Sequence, residues 1–209
     1  MKRENGTKEL LISNAIYLIA KGGFEMATTK ALTTVIGPKI NEVYIYRIFG
    51  SKEKLYEAAF LTLDDELSRA FTNAVVEVGG FTSNTKESFH KFFQRAWEFL
   101  LSNEERFRCY LRYYYSVYFK GSSLKAHNKN FEAMVAPITP LFKNNAGVTT
   151  VLHSVFTALL NLANQVYNEE IADTEILRDH IFNILYFTMS AYFKDEIRNA
   201  DAKGGTNEE

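Results

Sequence analysis

Glu87-Ser-Phe-His90 has the Glu-x-x-His spacing that sets two metal ligands on one helix face in di-iron bundles. Such a site needs the step twice, and the residues three before His127, His153 and His180 are Leu124, Thr150 and Leu177. No glycine-rich phosphate loop, nucleophile elbow or paired-histidine zinc motif occurs elsewhere. The expectation is therefore a binding protein and not an enzyme, with no cofactor and no metal. Cys109 is the single cysteine, which excludes an intrachain disulfide and a four-cysteine zinc site and fits a reducing compartment.

A second chemistry is available to aromatic side chains. Between positions 81 and 119 stand seven Phe, five Tyr and Trp97, against 14% aromatics for the whole chain. Phe107, Tyr110, Tyr114 and Tyr118 make one helical stripe, and Arg108, Arg112, Ser116 and Lys120 a polar row at four-residue spacing. Tyrosine joins an apolar ring to a polar tip, which suits a pocket for a flat or greasy ligand. Phe93, Trp97, Tyr110, Tyr114 and Tyr118 are the candidate ligand residues, joined by Asn161 and Gln165 from a later apolar segment. The same stripe at helical spacing also serves as core. Asn161 and Asn164 fit a bond across a subunit interface better than a ligand contact, and His153 and Asn183 need partners if buried.

The elements that position these residues are helices. Glycine and proline number 11 and 3 and fall between long periodic stretches. The patterns predict about nine helices: 7 to 21, stopped by Gly22-Gly23; 29 to 36, capped by Thr28 or Thr29; 42 to 49, capped by Asn41; a long one from Ser51 to about 78; 85 to 101; a sixth to about 119, opened by a Ser102-Asn-Glu-Glu105 capping box; a seventh disturbed by Pro137 and Pro140; 149 to 167; and 173 to 199. A polar tail, disordered from about 201, follows. The longest apolar run of the first helix, Ala15 to Ala20, is six residues, so neither a signal peptide nor a membrane span is expected, and the reading is cytoplasmic.

The chain carries 24 Lys and Arg against 25 Asp and Glu, but the balance is uneven. The first 60 residues hold nine basic side chains against six Glu, a net of +3, leaving 15 against 19 and a net of −4 for the remainder. Three short helices with a tight turn before the third are what a helix-turn-helix requires, and the basic excess is on that segment. Gly23-Phe24, Thr28-Thr29, Gly37, Tyr46-Arg-Ile-Phe49 and Gly50-Ser-Lys-Glu-Lys-Leu55 then stand in the order of the DNA-binding pattern of the TetR family of bacterial transcriptional regulators, which this quarter of the chain resembles. Ile48 replaces the family's usual His, and the interval from Gly37 to Tyr46 is two positions longer than usual, with Pro38-Lys39 as the insertion.

The resemblance implies an all-α fold: a helix-turn-helix DNA-binding domain over 1–52 and a larger helical ligand-binding and dimerisation domain over 53–209. It implies phosphate contacts from Thr28 or Thr29, Tyr46 and Lys52. Lys39, Asn41, Glu42, Tyr44 and Arg47 would face base edges or backbone around the recognition helix. The last two long segments are apolar on more than one face, which suggests an intermolecular four-helix bundle through Val155, Leu159, Leu162, Phe182, Leu185 and Met189. The implied function is a ligand-responsive regulator, most simply a repressor, binding a palindromic double-stranded DNA operator as a homodimer and altered by a small apolar or aromatic ligand, with no membrane partner. The alternative is a helical carrier of small molecules or lipids whose head no longer reads DNA.

Overall fold

The computed structural model describes residues 2–81, 85–143 and 147–204, and among them the protein is all-α. Ten α-helices, one 3-10 turn and a single isolated antiparallel bridge between Phe142 and Phe193 make up the regular structure of the described residues. The chain divides into two compact units. The first comprises residues 1–67 and 103–130, the second 68–102 and 131–209.

The first unit holds α1 (Lys2–Gly22), α2 (Thr29–Leu32), α3 (Val43–Phe49), α4 (Lys52–Glu77) as far as Leu67, α6 (Glu104–Tyr114) and the start of α7 (Ser122–Val135). Leu11, Ala15, Leu18 and Ile19 of α1 are buried, as the three-to-four spacing predicts. α1 packs along α6, where Arg112 donates to the Ile19 carbonyl at 2.6 Å, an acceptor it shares with the Gly23 N–H at the end of the helix. Asn14, fully buried in the middle of α1, donates to the Leu32 carbonyl at 2.8 Å and pins the end of α2. Tyr56 of α4 donates to the Ala27 carbonyl at 2.8 Å, and burial pushes its hydroxyl well above the ordinary tyrosine value.

α2 stops four residues short of the expected end at 36. Thr33-Thr34-Val35-Ile36 is a β-branched run of low helix propensity, and the Thr33 and Thr34 hydroxyls bond back to the Lys30 carbonyl at 2.9 and 2.8 Å. The two-position insertion is thus taken up in the turn, which Gly37 reverses at φ 73° and which closes through Ile40 N–H donating to the Thr33 carbonyl. α6 likewise ends at Tyr114 and not near 119, because Ser116 turns on itself: its hydroxyl donates to the Tyr113 carbonyl and accepts from the Tyr118 N–H. The capping box at Ser102 does not form. Ser102 closes the preceding helix, and Asn103 stands at the N-cap of α6 without a side-chain cap bond.

The second unit holds the rest of α4, α5 (Thr85–Ser102), the end of α7, α8 (Val148–Tyr167), α9 (Glu175–Ser190) and α10 (Asp195–Gly204). The segment expected as one helix over 173–199 is broken after Ser190. Phe193 is fully buried among Phe89, Phe142 and Tyr186, with ring centroids 5.0–5.9 Å apart, and the chain leaves the helical path to place it there. Lys143 and Lys194 N–H groups donate to the Tyr192 and Leu141 carbonyls at 2.9 Å on either side of that ring. α10 continues to Gly204, beyond the position where the polar tail was expected to begin; residues 205–209 lie outside the described residues. No helix among the described residues is long and apolar enough to cross a membrane.

Candidate functional site

In the first unit, Thr28 caps α2 by accepting from the Ala31 N–H at 3.2 Å, and Thr29 is its half-buried first residue. α3 is anchored by Ile45, which is fully buried, and entered through Asn41, whose side-chain oxygen accepts from the Val43 N–H at 3.0 Å. Glu42 occupies the N-cap position without a side-chain cap bond, so Asn41 closes the turn one residue earlier than a capping residue would. Lys39, Asn41, Glu42, Tyr46 and Arg47 are exposed, Tyr46 at 54%. Tyr44 is half-buried with the Arg47 guanidinium 4.3 Å above its ring, which orients the arginine. Ser51 caps α4 by accepting from the Lys54 N–H, and the half-buried Lys52 ammonium lies 5.7 Å from the Tyr56 ring. The nine expected DNA residues therefore share one unit, seven around α3 and two at the start of α2.

Val43 was not among them, yet it opens α3 and is 64% exposed. An apolar residue in a helix start reads as a packing residue, so only the three-dimensional position of Ile45 reveals that Val43 points the other way. Sequence reasoning also missed a buried polar cluster on α4, α6 and α7. Asp64 Oδ1 lies 2.7 Å from His127 Nδ1 and accepts from the Tyr110 hydroxyl at 3.2 Å, while Oδ2 accepts from Asn130 at 2.8 Å. Burial and the Asp64 carboxylate together hold the Tyr110 hydroxyl far above its ordinary value, so it stays a donor.

The aromatic stripe serves this core. Tyr110 stacks on Phe60 at 5.0 Å, Tyr114 packs on Phe119 at 4.7 Å, and Tyr118 meets Phe24 at 4.9 Å, all within the first unit. Cys109 is buried beside them, and burial pushes its thiol up to about 12, which leaves it protonated and inert.

A half-open apolar cavity lies instead in the second unit. Phe71 and Val75 of α4, Phe89 and Phe93 of α5, Met134 and Ile138 near the end of α7, Phe156 of α8 and Phe182 of α9 supply its walls. Of the seven expected ligand residues only Phe93 lines it. Trp97 is buried behind Phe93, its indole donating to Asp173 at 3.0 Å. Asn161 is exposed and Gln165 half-buried on α8. Five of the six residues expected at a dimer interface, Val155, Leu159, Phe182, Leu185 and Met189, also line this cavity, and Leu162 is half-buried. The outward apolar row of α9 is Ile176, Ile184 and Phe187, the last two each 62% exposed. Tyr186 is the one residue of the lining whose side chain carries an oxygen or nitrogen, and its hydroxyl donates to Asp201 of α10.

Glu87 and His90 do not approach a shared metal position. Glu87 pairs with Lys91 at 2.5 Å, and His90 sits against the Phe182 ring at 4.7 Å with Asp179 3.7 Å away. Among the described residues no group of three or more His, Cys, Asp or Glu could hold a metal ion.

Short N-terminal helices with an exposed α3, and a helical unit that carries an apolar cavity, are the features of a fold shared with TetR-type transcription regulators. The solved structures similar to this chain bear that out. A TetR family transcription regulator from Marinobacter aquaeolei superposes with a TM-score of 0.71 at 14% identity, over 90% of this chain and 97% of that one. Two proteins assigned to the same family, from a Shewanella species and from Mesorhizobium loti, give TM-scores of 0.68 and 0.67 at 14% identity, over 90% and 92% of this chain and 98% and 99% of theirs. At that identity the likeness is one of fold. Comparison with protein-family models gives no match, and comparison with curated proteins gives none.

Proposed function

We propose that this chain is a TetR-family transcriptional regulator, most simply a repressor, that binds a palindromic operator as a homodimer and answers to a small apolar ligand. The observation that supports this best is the outward face of α3, with Val43, Tyr46 and Arg47 exposed in a helix-turn-helix within that fold. Tyr46, Lys52 and the capping end of α2 would hold the DNA backbone, while the front of α3 faces base edges. The second unit supplies the ligand site. Its cavity offers rings and alkyl groups with one hydroxyl already engaged, so a charged group inside it would lose hydration without a partner. The ligand is therefore neutral where it is enclosed, and mostly hydrocarbon. The homodimer would form through the outward row of α9, since five of the six residues first expected there line the cavity. Work of this kind belongs in the cytoplasm, beside the DNA.

Ligand and DNA are coupled through linked equilibria: the ligand changes operator occupancy only by its differential affinity for DNA-competent and incompetent states. α4 is the natural carrier, because Phe71 and Val75 line the cavity and Lys52 begins the same helix.

The deciding experiment passes the purified protein over fragmented DNA of its source organism at moderate salt and sequences what is retained. Recovery of a few palindromic sites supports the regulator. Lys52→Ala should then weaken binding alike across sequences and reduce the salt slope. Retention of nothing above background, repeated at lower salt, overturns the DNA role and leaves a helical carrier of apolar molecules.

A further inference from the structure

α3 has three well-exposed side chains, and one of them carries no polar atom. Val43 is the first residue of the helix and 64% exposed, whereas Ile45, two positions and about 200° further round, is fully buried. Val43 therefore stands at the centre of the outward face, with Tyr46 and Arg47 on the following turn to either side of it. Its backbone N–H is committed to Asn41, which holds the helix start in place.

A valine here is unfavourable in water and pointless against phosphate, since it offers neither charge nor hydrogen bond. In the major groove the edges of guanine, cytosine and adenine present donors and acceptors that valine would desolvate without compensation. Thymine alone presents a methyl group. N-terminal residues of a recognition helix are also those that reach base edges in helix-turn-helix complexes. Resting on the DNA-binding function proposed above, we infer that Val43 reads the C5-methyl group of a thymine in each half-site, flanked by Arg47 and Tyr46. The selectivity it adds is for thymine over cytosine and uracil at that position. Glu42 and Asn41 beside it are polar, so this apolar contact is a distinct element of the specificity.

The test uses the full-length protein and duplexes carrying a recovered operator, in which each thymine of the half-site is replaced in turn by deoxyuridine. That exchange removes one methyl group and leaves base pairing intact. Wild-type protein should lose roughly fourfold in affinity at one thymine per half-site, and roughly fifteenfold with both half-sites changed. Val43→Ala, on an exposed position where alanine keeps the helix, should bind the thymine and deoxyuridine duplexes equally, with an unchanged melting temperature. Specific operator binding with no deoxyuridine penalty, or with the same penalty in Val43→Ala, overturns the assignment of Val43 while leaving the regulator intact. Absence of any specific site defeats both.

Discussion

Asp173 shows how a single residue can couple the second unit to pH. Arg178 forms a bidentate pair with it at 2.5 and 2.8 Å, the Trp97 indole donates to it at 3.0 Å, and the arginine above all holds its carboxyl below the ordinary aspartate value. A carboxyl depressed in the folded state adds stability above its unfolded value and loses it as pH falls through the folded one. Wild-type urea midpoints should therefore drop between neutral pH and about pH 3, and Asp173→Asn should flatten that part of the drop. An equally steep profile in the variant would assign the acid sensitivity to other carboxylates. At this scale the sequence was partly legible. Capping by Thr28 and Ser51 follows from local chemistry and is found, whereas the partners of Trp97, 76 positions away, and of Asp64 depend on packing that no spacing records. The tyrosines were read as pocket residues because stripe and pocket look alike until it is known which unit the stripe enters.

At the scale of elements, the turn between α2 and α3 is the point of greatest departure. Gly37 adopts φ 73°, and a Cβ placed there would lie 3.2 Å from Leu10 Cδ2. Gly37→Ala should cost about 1–2 kcal/mol, read as a lowered urea midpoint. If the midpoint does not move, the turn has a relaxed alternative and does not constrain α3. Among the long helices α4, α5 and α8 begin and end close to expectation, whereas α1 begins at Lys2, five positions before the expected start at 7. Shorter ones were not legible at their ends, since the ends of α2 and α6 are decided by Thr and Ser side chains competing for backbone groups, and the break before α10 by burial of one phenylalanine. α9 could be placed but not rotated: a helix apolar on several sides does not declare which one faces its own cavity. Its outward row is Ile176, Ile184 and Phe187, and replacing Ile184 and Phe187 together by Glu should yield monomers by light scattering, with unchanged helicity and lost operator binding. A dimer that survives both changes would locate the interface on another surface.

At the scale of the whole molecule, the all-α class and the helix-turn-helix were legible because scarce Gly and Pro and short N-terminal helices leave few alternatives. The extent of the first unit was not legible, because it is discontinuous: residues 103–130 complete it, with α6 lying along α1 and Arg112 closing the α1 terminus. That discontinuity limits how the first unit can be handled or inherited. It is no portable cassette, since a fragment of residues 1–67 would bare the apolar side of α1 that α6 covers, and such a fragment should be aggregated or unfolded by circular dichroism. A cooperatively folded fragment would show that α6 is dispensable. If α6 is required, gene fusion or recombination that moves the head must carry a second, distant stretch of sequence with it, and the head and the middle of the chain are bound to evolve together.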